Sequence, residues 1–166
     1  GFIVKEPLPQ IPAENGSINI YFCPRESCEE AWAFALTNAT TVDCALYDLN
    51  SEKLITALKE KQERIIIEKD NYEPALDQLT LKKDINKAYM HNKFCILDNN
   101  KVITGSTNPT INDLTKNNNN LLIITSKYLA ENYQAEFNEL WESSPQKTPY
   151  PKMYLNSFLI ENYFCP

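Results

Sequence analysis

The sequence predicts an α/β fold, in which a mixed, mainly parallel β-sheet is flanked by helices. Strand-like and helical patterns alternate over residues 17–68 in the order strand, helix, strand, helix, strand. That order is typical of parallel strands joined by right-handed crossovers. Further along, a buried-type strand at 121–125 precedes an amphipathic helix at 127–142. Residues 89–108 alternate as two strands joined by a tight turn, which adds an antiparallel pair to the sheet.

Hydrophobic periodicity and turn residues set the bounds of the predicted elements. In order, strands are predicted at 18–22, 42–49 and 64–68, and helices at 28–38 and 51–63. The polar segment 69–87 is predicted to hold a short helix around 75–81, just before the hairpin. The asparagine-rich segment 110–120 is predicted to be a polar loop.

Composition limits the class of protein. At 166 residues, of which 43% are hydrophobic and 23% charged, the chain is long enough to form one domain with a sizeable core. It has no apolar run long enough to cross a bilayer, so no membrane span is predicted in this segment. The formal net charge of −6 argues against a generally basic nucleic-acid binder but allows a local basic groove.

The chain divides into three predicted parts. Residues 1–16 form a proline-rich N-terminal arm, 17–142 form the α/β domain, and 143–166 form a linker. The linker ends in Tyr-Phe-Cys-Pro, a tetrad that also occurs at 21–24 within the first strand region. We interpret this echo as the possible start of a second copy of the domain, with coincidence as the alternative.

Cysteine usage indicates an oxidising environment. The spacing of Cys23 and Cys28 allows a small disulfide loop, and two free thiols are the alternative. Cys44 and Cys95 lie in apolar strand-like runs, so both are predicted to be buried free thiols. Five cysteines in so short a chain suggest an extracytoplasmic location, although the compartment itself stays unknown. Because Cys23 and Cys28 have no second cysteine pair nearby and the only histidine is distant from them, we predict no metal site and no cofactor.

The hairpin gathers polar side chains that suit a phosphate. His91 lies two residues before Lys93, so the two share one face of the first strand. Ser106 and Asn108 share a face on the returning segment. An imidazole, an ammonium, a hydroxyl and a carboxamide can together supply charge, hydrogen bonds and a nucleophile or acid–base group.

The spacing of these residues resembles the motif of the phospholipase D superfamily. That motif is His-x-Lys, four residues, Asp, six residues, then Gly-Ser-x-Asn. Every spacing is kept by the six matching residues, which are His91, Lys93, Asp98, Gly105, Ser106 and Asn108. The alternative interpretation is a single hydrogen-bonded histidine on an ordinary hairpin. The resemblance implies a phospholipase D-like α-β-α sandwich and metal-independent phosphodiester hydrolysis through a phosphohistidine.

The resemblance also implies roles for individual residues. One histidine attacks phosphorus, while Lys93 and Asn108 bind the non-bridging oxygens and Ser106 supports them. We assign Asp98 to orientation and local charge pairing rather than to attack on phosphorus. Many family members carry a glutamate where this chain has Asn119, which can orient an imidazole but cannot stabilise imidazolium by charge. Either Asn119 suffices or this copy is weak or inactive, unless the asparagine run is a plain polar loop.

The histidine count bears on partners and function. The implied mechanism needs two histidines and this chain has one, so the second is expected from a homodimer or from a second copy of the domain. We expect a nuclease acting on DNA or RNA. A lipid phosphodiesterase is the first alternative, and it should show an apolar rim near the motif. A catalytically weak module for phosphate or nucleic-acid binding, or for dimerisation, is the second alternative.

Overall fold

Ten strands and four α-helices make up the computed structural model, which describes residues 10–165. In chain order the strands are β1 (Ala13–Glu14), β2 (Ser17–Cys23), β3 (Thr41–Leu46), β4 (Gln62–Glu68), β5 (Leu81–Asp84), β6 (Lys93–Leu97), β7 (Lys101–Gly105), β8 (Asn119–Thr125), β9 (Lys152–Leu155) and β10 (Phe158–Glu161). The helices are α1 (Cys28–Thr37), α2 (Glu52–Lys59), α3 (Ile111–Thr115) and α4 (Lys127–Glu142).

A seven-stranded mixed sheet lies at the centre, with the strand order β2-β8-β7-β6-β3-β4-β5. The predicted α/β class, with a mixed sheet flanked by helices, is confirmed. The share of parallel strands is smaller than predicted, since only the pairs β3–β4 and β4–β5 are parallel. The other four pairs are antiparallel, and three of them involve the hairpin of β6 and β7, which inserts between β3 and β8.

Helices cover the two faces of this sheet, and each face has its own apolar core. Helices α1, α2 and α3 pack on one face through residues that include Trp32, Leu54 and Leu114. Helix α4 packs on the other face, where Phe137 is fully buried against the strands. Each fully buried side chain of this size contributes roughly 1.5–3 kcal/mol to the free energy of unfolding. Successive side chains of β6 pack into opposite cores, because neighbouring residues of a strand point to opposite faces of the sheet.

A second, three-stranded sheet joins the two ends of the described chain. Strand β9 pairs in parallel with β1 and in antiparallel with β10. The side chains of Met153 and Leu155 on β9 are buried in the core beneath α4. Sequence analysis did not predict this small sheet. Residues 1–9 of the predicted arm and Pro166 of the echoed tetrad lie outside the described residues.

Two segments differ locally from the prediction. The short helix expected around 75–81 is a 3₁₀ turn at Pro74–Gln78, and the edge strand β5 follows it. The segment 110–120, predicted as a loop, contains α3 and the beginning of β8. Helix α3 forms because the Thr110 hydroxyl accepts a hydrogen bond from the Asp113 amide, which satisfies a free N–H of its first turn.

The described cysteines pair more fully than predicted. Cys23 and Cys28 form a disulfide, as their spacing allows. Cys44 and Cys95 also form a disulfide, so the prediction that both are free thiols is wrong. They face each other across the antiparallel pair of β3 and β6, with 4.1 Å between their Cα atoms. This proximity results from strand register, which residues 51 positions apart do not reveal in the sequence.

Candidate active site

The residues of the hairpin motif gather at one edge of the large sheet. This edge holds the carboxyl ends of the parallel strands β3 and β4, where α/β proteins commonly bind ligands. Lys93 is the first residue of β6, and His91 lies just before it. Ser106 follows the last residue of β7, and Asn119 begins β8 beside it. The predicted site residues on these three strands therefore reach a shared surface.

Hydrogen bonds on both sides of His91 fix its backbone. The Met90 amide donates to the carboxylate of Glu68, which is fully buried at the end of β4, over 2.7 Å. The Tyr47 amide donates to the Asn92 carbonyl, also over 2.7 Å. The Tyr47 ring meets the imidazole edge-on, with 4.6 Å between the ring centroids. The imidazole is thus held between two anchored neighbours and an aromatic ring while remaining exposed.

Lys93 contacts His91 directly. Its Nζ lies 3.1 Å from the imidazole Nε2 and donates to the His91 carbonyl over 3.1 Å. An ammonium can only donate, so this contact fits an imidazole that accepts at Nε2 and carries its hydrogen on Nδ1. Burial lowers the pKa of Lys93, and the negative charge of Asp113 partly offsets that effect. The pair therefore presents a nucleophilic nitrogen beside a cation.

Ser106 and Asn119 form a second polar group on the same edge. The Ser106 hydroxyl donates to Asn119 Oδ1 over 3.0 Å and accepts from the Asn120 amide over 3.0 Å. Gly105 makes this close approach possible, because a Cβ at this position would lie 2.4 Å from the Asn120 carbonyl oxygen. Its φ of +137° also disfavours any other residue.

Asn108 is held by a carboxylate that the sequence analysis did not single out. Asp113 Oδ2 accepts a hydrogen bond from the backbone N–H of Asn108 over 2.9 Å and another from the side-chain Nδ2 of Asn108 over 2.8 Å. Asp113 Oδ1 accepts from Asn117 Nδ2 over 2.8 Å. The signal that could have indicated Asp113 is the Thr110-x-x-Asp113 pattern, a frequent beginning of a helix.

The structure does not bring Asp98 to this edge. Asp98 follows β6 at its opposite end, five positions after Lys93, which corresponds to roughly 16 Å along an extended strand. Its carboxylate accepts from the Thr40 amide (3.0 Å) and from the Thr41 amide (2.8 Å) and hydroxyl (3.2 Å). Burial raises the pKa of Asp98, but these hydrogen bonds outweigh it and leave the pKa below its ordinary value. Asp98 thus ties the hairpin turn to the beginning of β3.

The surroundings of the site are open and partly apolar. A shallow depression of about 300 Å³ adjoins Ser106 and Asn119, and its other walls include Phe22 and Arg25. The Phe22 side chain is 61% exposed. On the segment before His91, Ile85 and Tyr89 are 83% and 66% exposed. Within residues 10–165, no group of three or more His, Cys, Asp or Glu side chains could hold a metal ion.

Sequence comparison finds relatives that match part of this chain. "Mitochondrial cardiolipin hydrolase" of Xenopus laevis is 38% identical over 64 residues, which cover 39% of this chain and 30% of that protein. "Phospholipase D" of Rickettsia typhi is 27% identical over 140 residues, or 76% of this chain and 68% of that protein. The matched part of this chain thus spans less than a third of the cardiolipin hydrolase.

The fold has a close counterpart among solved structures. Nuc from Salmonella typhimurium, a phospholipase D family member, superimposes with a TM-score of 0.71 at 23% identity. The match covers 80% of this chain and 98% of Nuc. In sequence, residues 35–141 match the family described as "Cardiolipin synthase, PLD-like domain". Because that match spans more than half of the chain, the protein belongs to the phospholipase D-like family.

Proposed function

We propose that this chain hydrolyses phosphodiesters, with His91 as the nucleophile. The observation that carries the proposal is the 3.1 Å contact between Lys93 Nζ and His91 Nε2. A neutral imidazole with its Nε2 lone pair directed at a cation is placed to attack an electrophile that the same cation binds. A phosphate diester is such an electrophile, because its non-bridging oxygens attract the ammonium.

In the proposed first step, Lys93 moves its hydrogen bond from the imidazole to a non-bridging oxygen of the substrate. His91 Nε2 then forms a bond to phosphorus as the bond to the leaving oxygen breaks. We assign the remaining N–H of the Asn108 side chain and the Ser106 hydroxyl to hydrogen bonds with other phosphate oxygens. Water then attacks phosphorus as the bond to Nε2 breaks, and its proton passes to the group that protonated the leaving oxygen, which releases the monoester and restores the neutral imidazole. The scheme uses no metal.

The leaving oxygen needs a proton, and we propose that it comes from a second His91. This chain has a single histidine, so the second belongs to another copy of the chain or to a second copy of the domain. Two copies would have to face each other across the edge that carries Lys93 and Ser106. In the homodimer case, the specific activity falls when the protein is diluted below its dimerisation constant.

We propose nucleic acid as the substrate, on the basis of the depression beside Ser106 and Asn119. Its walls include the exposed ring of Phe22 and the guanidinium of Arg25. An aromatic ring that can stack on a base, next to a cation that can bind the adjacent phosphate, is typical of single-strand recognition. Because the net charge of the chain is −6, this local pair rather than a general basic surface would hold the strand.

A phospholipid is the second candidate, and a specific observation favours it. Ile85 and Tyr89 are largely exposed on the segment that leads to His91, which is the apolar rim expected for a lipid substrate. The relatives include cardiolipin hydrolases and a phospholipase D. In this alternative the two side chains enter the boundary between headgroups and acyl chains, and the scissile diester lies in the headgroup.

The test is hydrolysis of bis(p-nitrophenyl) phosphate in EDTA by the wild type and by His91→Ala, with Lys147→Ala as an exposed control. We expect release of nitrophenolate by the wild type and the control, and none by His91→Ala.

Single-stranded DNA, RNA and cardiolipin vesicles then separate the substrate classes: Phe22→Ala lowers cleavage of nucleic acid, and Ile85→Ser lowers cleavage of lipid. Activity of His91→Ala equal to the wild type would contradict the proposal. Phosphate binding without turnover would indicate a binding module.

A further inference from the structure

Asp113 contacts the proposed site without having been assigned a part in it. It lies on α3, outside the hairpin motif, and is half-buried rather than solvated. Its two carboxylate oxygens accept three hydrogen bonds from two asparagines, Asn108 and Asn117, over 2.8–2.9 Å. Hydrogen bonds to an ionised carboxylate are about twice as strong as neutral ones, so these contacts fix the positions of Asp113 and the two asparagines relative to each other.

The contact fixes which end of the Asn108 amide faces the carboxylate. An ionised carboxylate only accepts hydrogen bonds, so the Asn108 NH₂ group must face Asp113 and the carbonyl oxygen must face away. That oxygen, Asn108 Oδ1, is buried and has no hydrogen-bond partner among residues 10–165. One N–H of the Asn108 side chain is therefore left to donate to a ligand, in an orientation that Asp113 sets.

The charge of Asp113 also acts on the cation of the site. Burial lowers the pKa of Lys93, and the negative charge of Asp113 partly offsets that effect. Burial raises the pKa of Asp113, but hydrogen bonds from Asn108 and Asn117, with a smaller contribution from the charge of Lys93, leave it below its ordinary value. Asp48, just after β3, is a second charged group that interacts with Asp113. Burial raises the pKa of Asp48, and the negative charge of Asp113 raises it further. Asn108 and Asn117 complete the surroundings of the carboxylate and are neutral.

We propose that Asp113 is a positioning residue of this site, whose carboxylate orients the Asn108 side-chain amide and whose negative charge acts on Lys93. The inference rests on the proposed function of the site as a phosphodiesterase. Asp113 does not touch the reacting phosphorus in this proposal. It acts through two residues that do bind the phosphate, one by hydrogen bonds and one by charge.

The test compares Asp113→Asn, which keeps the shape of the side chain but removes its charge, with Asp77→Asn. Asp77 is an exposed carboxylate on the 3₁₀ turn that accepts from the Tyr72 hydroxyl, so its variant removes the same charge elsewhere. NMR titration of the ¹³Cε of Lys93, assigned by its loss in Lys93→Arg, reports the lysine directly. The side-chain amide of Asn108 reports the hydrogen bond through its protection from hydrogen exchange.

We expect Asp113→Asn to lower the pKa of Lys93 further and to remove the protection of the Asn108 amide, whereas Asp77→Asn changes neither. With bis(p-nitrophenyl) phosphate, kcat falls at least about tenfold in Asp113→Asn, and the alkaline limb of its pH profile moves to lower pH. Unchanged NMR signals of Lys93 and Asn108 in Asp113→Asn would overturn the inference. If the NMR changes occur but the wild type has no activity, the proposed function fails while the coupling of Asp113 to the two residues stands.

Discussion

The two disulfides differ in the length of chain that they close, and this difference makes a quantitative prediction. Cys44 and Cys95 are 51 positions apart, whereas Cys23 and Cys28 are 5 positions apart. All four side chains are buried, so replacing either pair by alanine removes similar packing. In the chain-entropy account, the long loop contributes about 4 kcal/mol to the free energy of unfolding and the short loop about 2 kcal/mol. We therefore expect the double variant C44A/C95A to be about 2 kcal/mol less stable than C23A/C28A.

Urea unfolding under non-reducing conditions measures this difference, with the wild type as reference. For a chain of this length the gap corresponds to roughly 4–8 °C in Tm. Alkylation of the denatured, unreduced wild type should modify a single thiol, that of Cys165. Equal stability of the two double variants would refute the reasoning from loop length. Alkylation of Cys44 and Cys95 in the unreduced wild type would refute the cross-strand disulfide itself.

Three further predictions concern the site and its support. Gly105→Ala places a Cβ against the Asn120 carbonyl at a φ of +137°, so we expect a loss of about 1–3 kcal/mol in urea unfolding, and wild-type stability would contradict the clash. Lys93→Ala removes the cation beside His91 Nε2 and should lower kcat at least about a hundredfold, whereas a near-wild-type rate would remove Lys93 from the site. Asp98→Asn should be less stable than the wild type at pH 7. Because the folded pKa of Asp98 lies below 3.8, this difference is present above about pH 3.8 and shrinks as the pH falls further, and unfolding curves at pH 7 and pH 3 check that loss.

Local signals in the sequence were sufficient for much of the fold. The helix predicted at 127–142 has those bounds in α4, with Ser126 as its N-cap. The turn predicted at Asp98–Lys101 forms with positive φ at Asp98 and Asn99, residues that tolerate this conformation. Each of these features is decided by neighbouring residues, which is why periodicity and turn chemistry could predict them.

Features that depend on distant residues could not be predicted in the same way. The parallel pairing of β1 with β9 joins residues about 140 positions apart, and each strand is too short to be seen by itself. The disulfide of Cys44 and Cys95 depends on the register of β3 against β6, which only the folded sheet sets. In the site, the spacing of the motif indicated His91 and Lys93. The predicted turn already separated Asp98 from Lys93, but the motif gave no sign that Asp98 binds the beginning of β3 or that Asp113 holds Asn108.

The measurement that tests the central claim most directly is capture of the covalent intermediate. The wild type and His91→Ala are mixed with excess bis(p-nitrophenyl) phosphate in EDTA and quenched in alkali, which preserves phosphohistidine. Mass spectrometry of the proteolysed chain then shows which residue carries the added phosphoryl ester. The proposal predicts the adduct on the wild-type peptide that contains His91, and its absence from His91→Ala. Turnover by the wild type with no adduct on His91, or with the adduct on another residue, would contradict it.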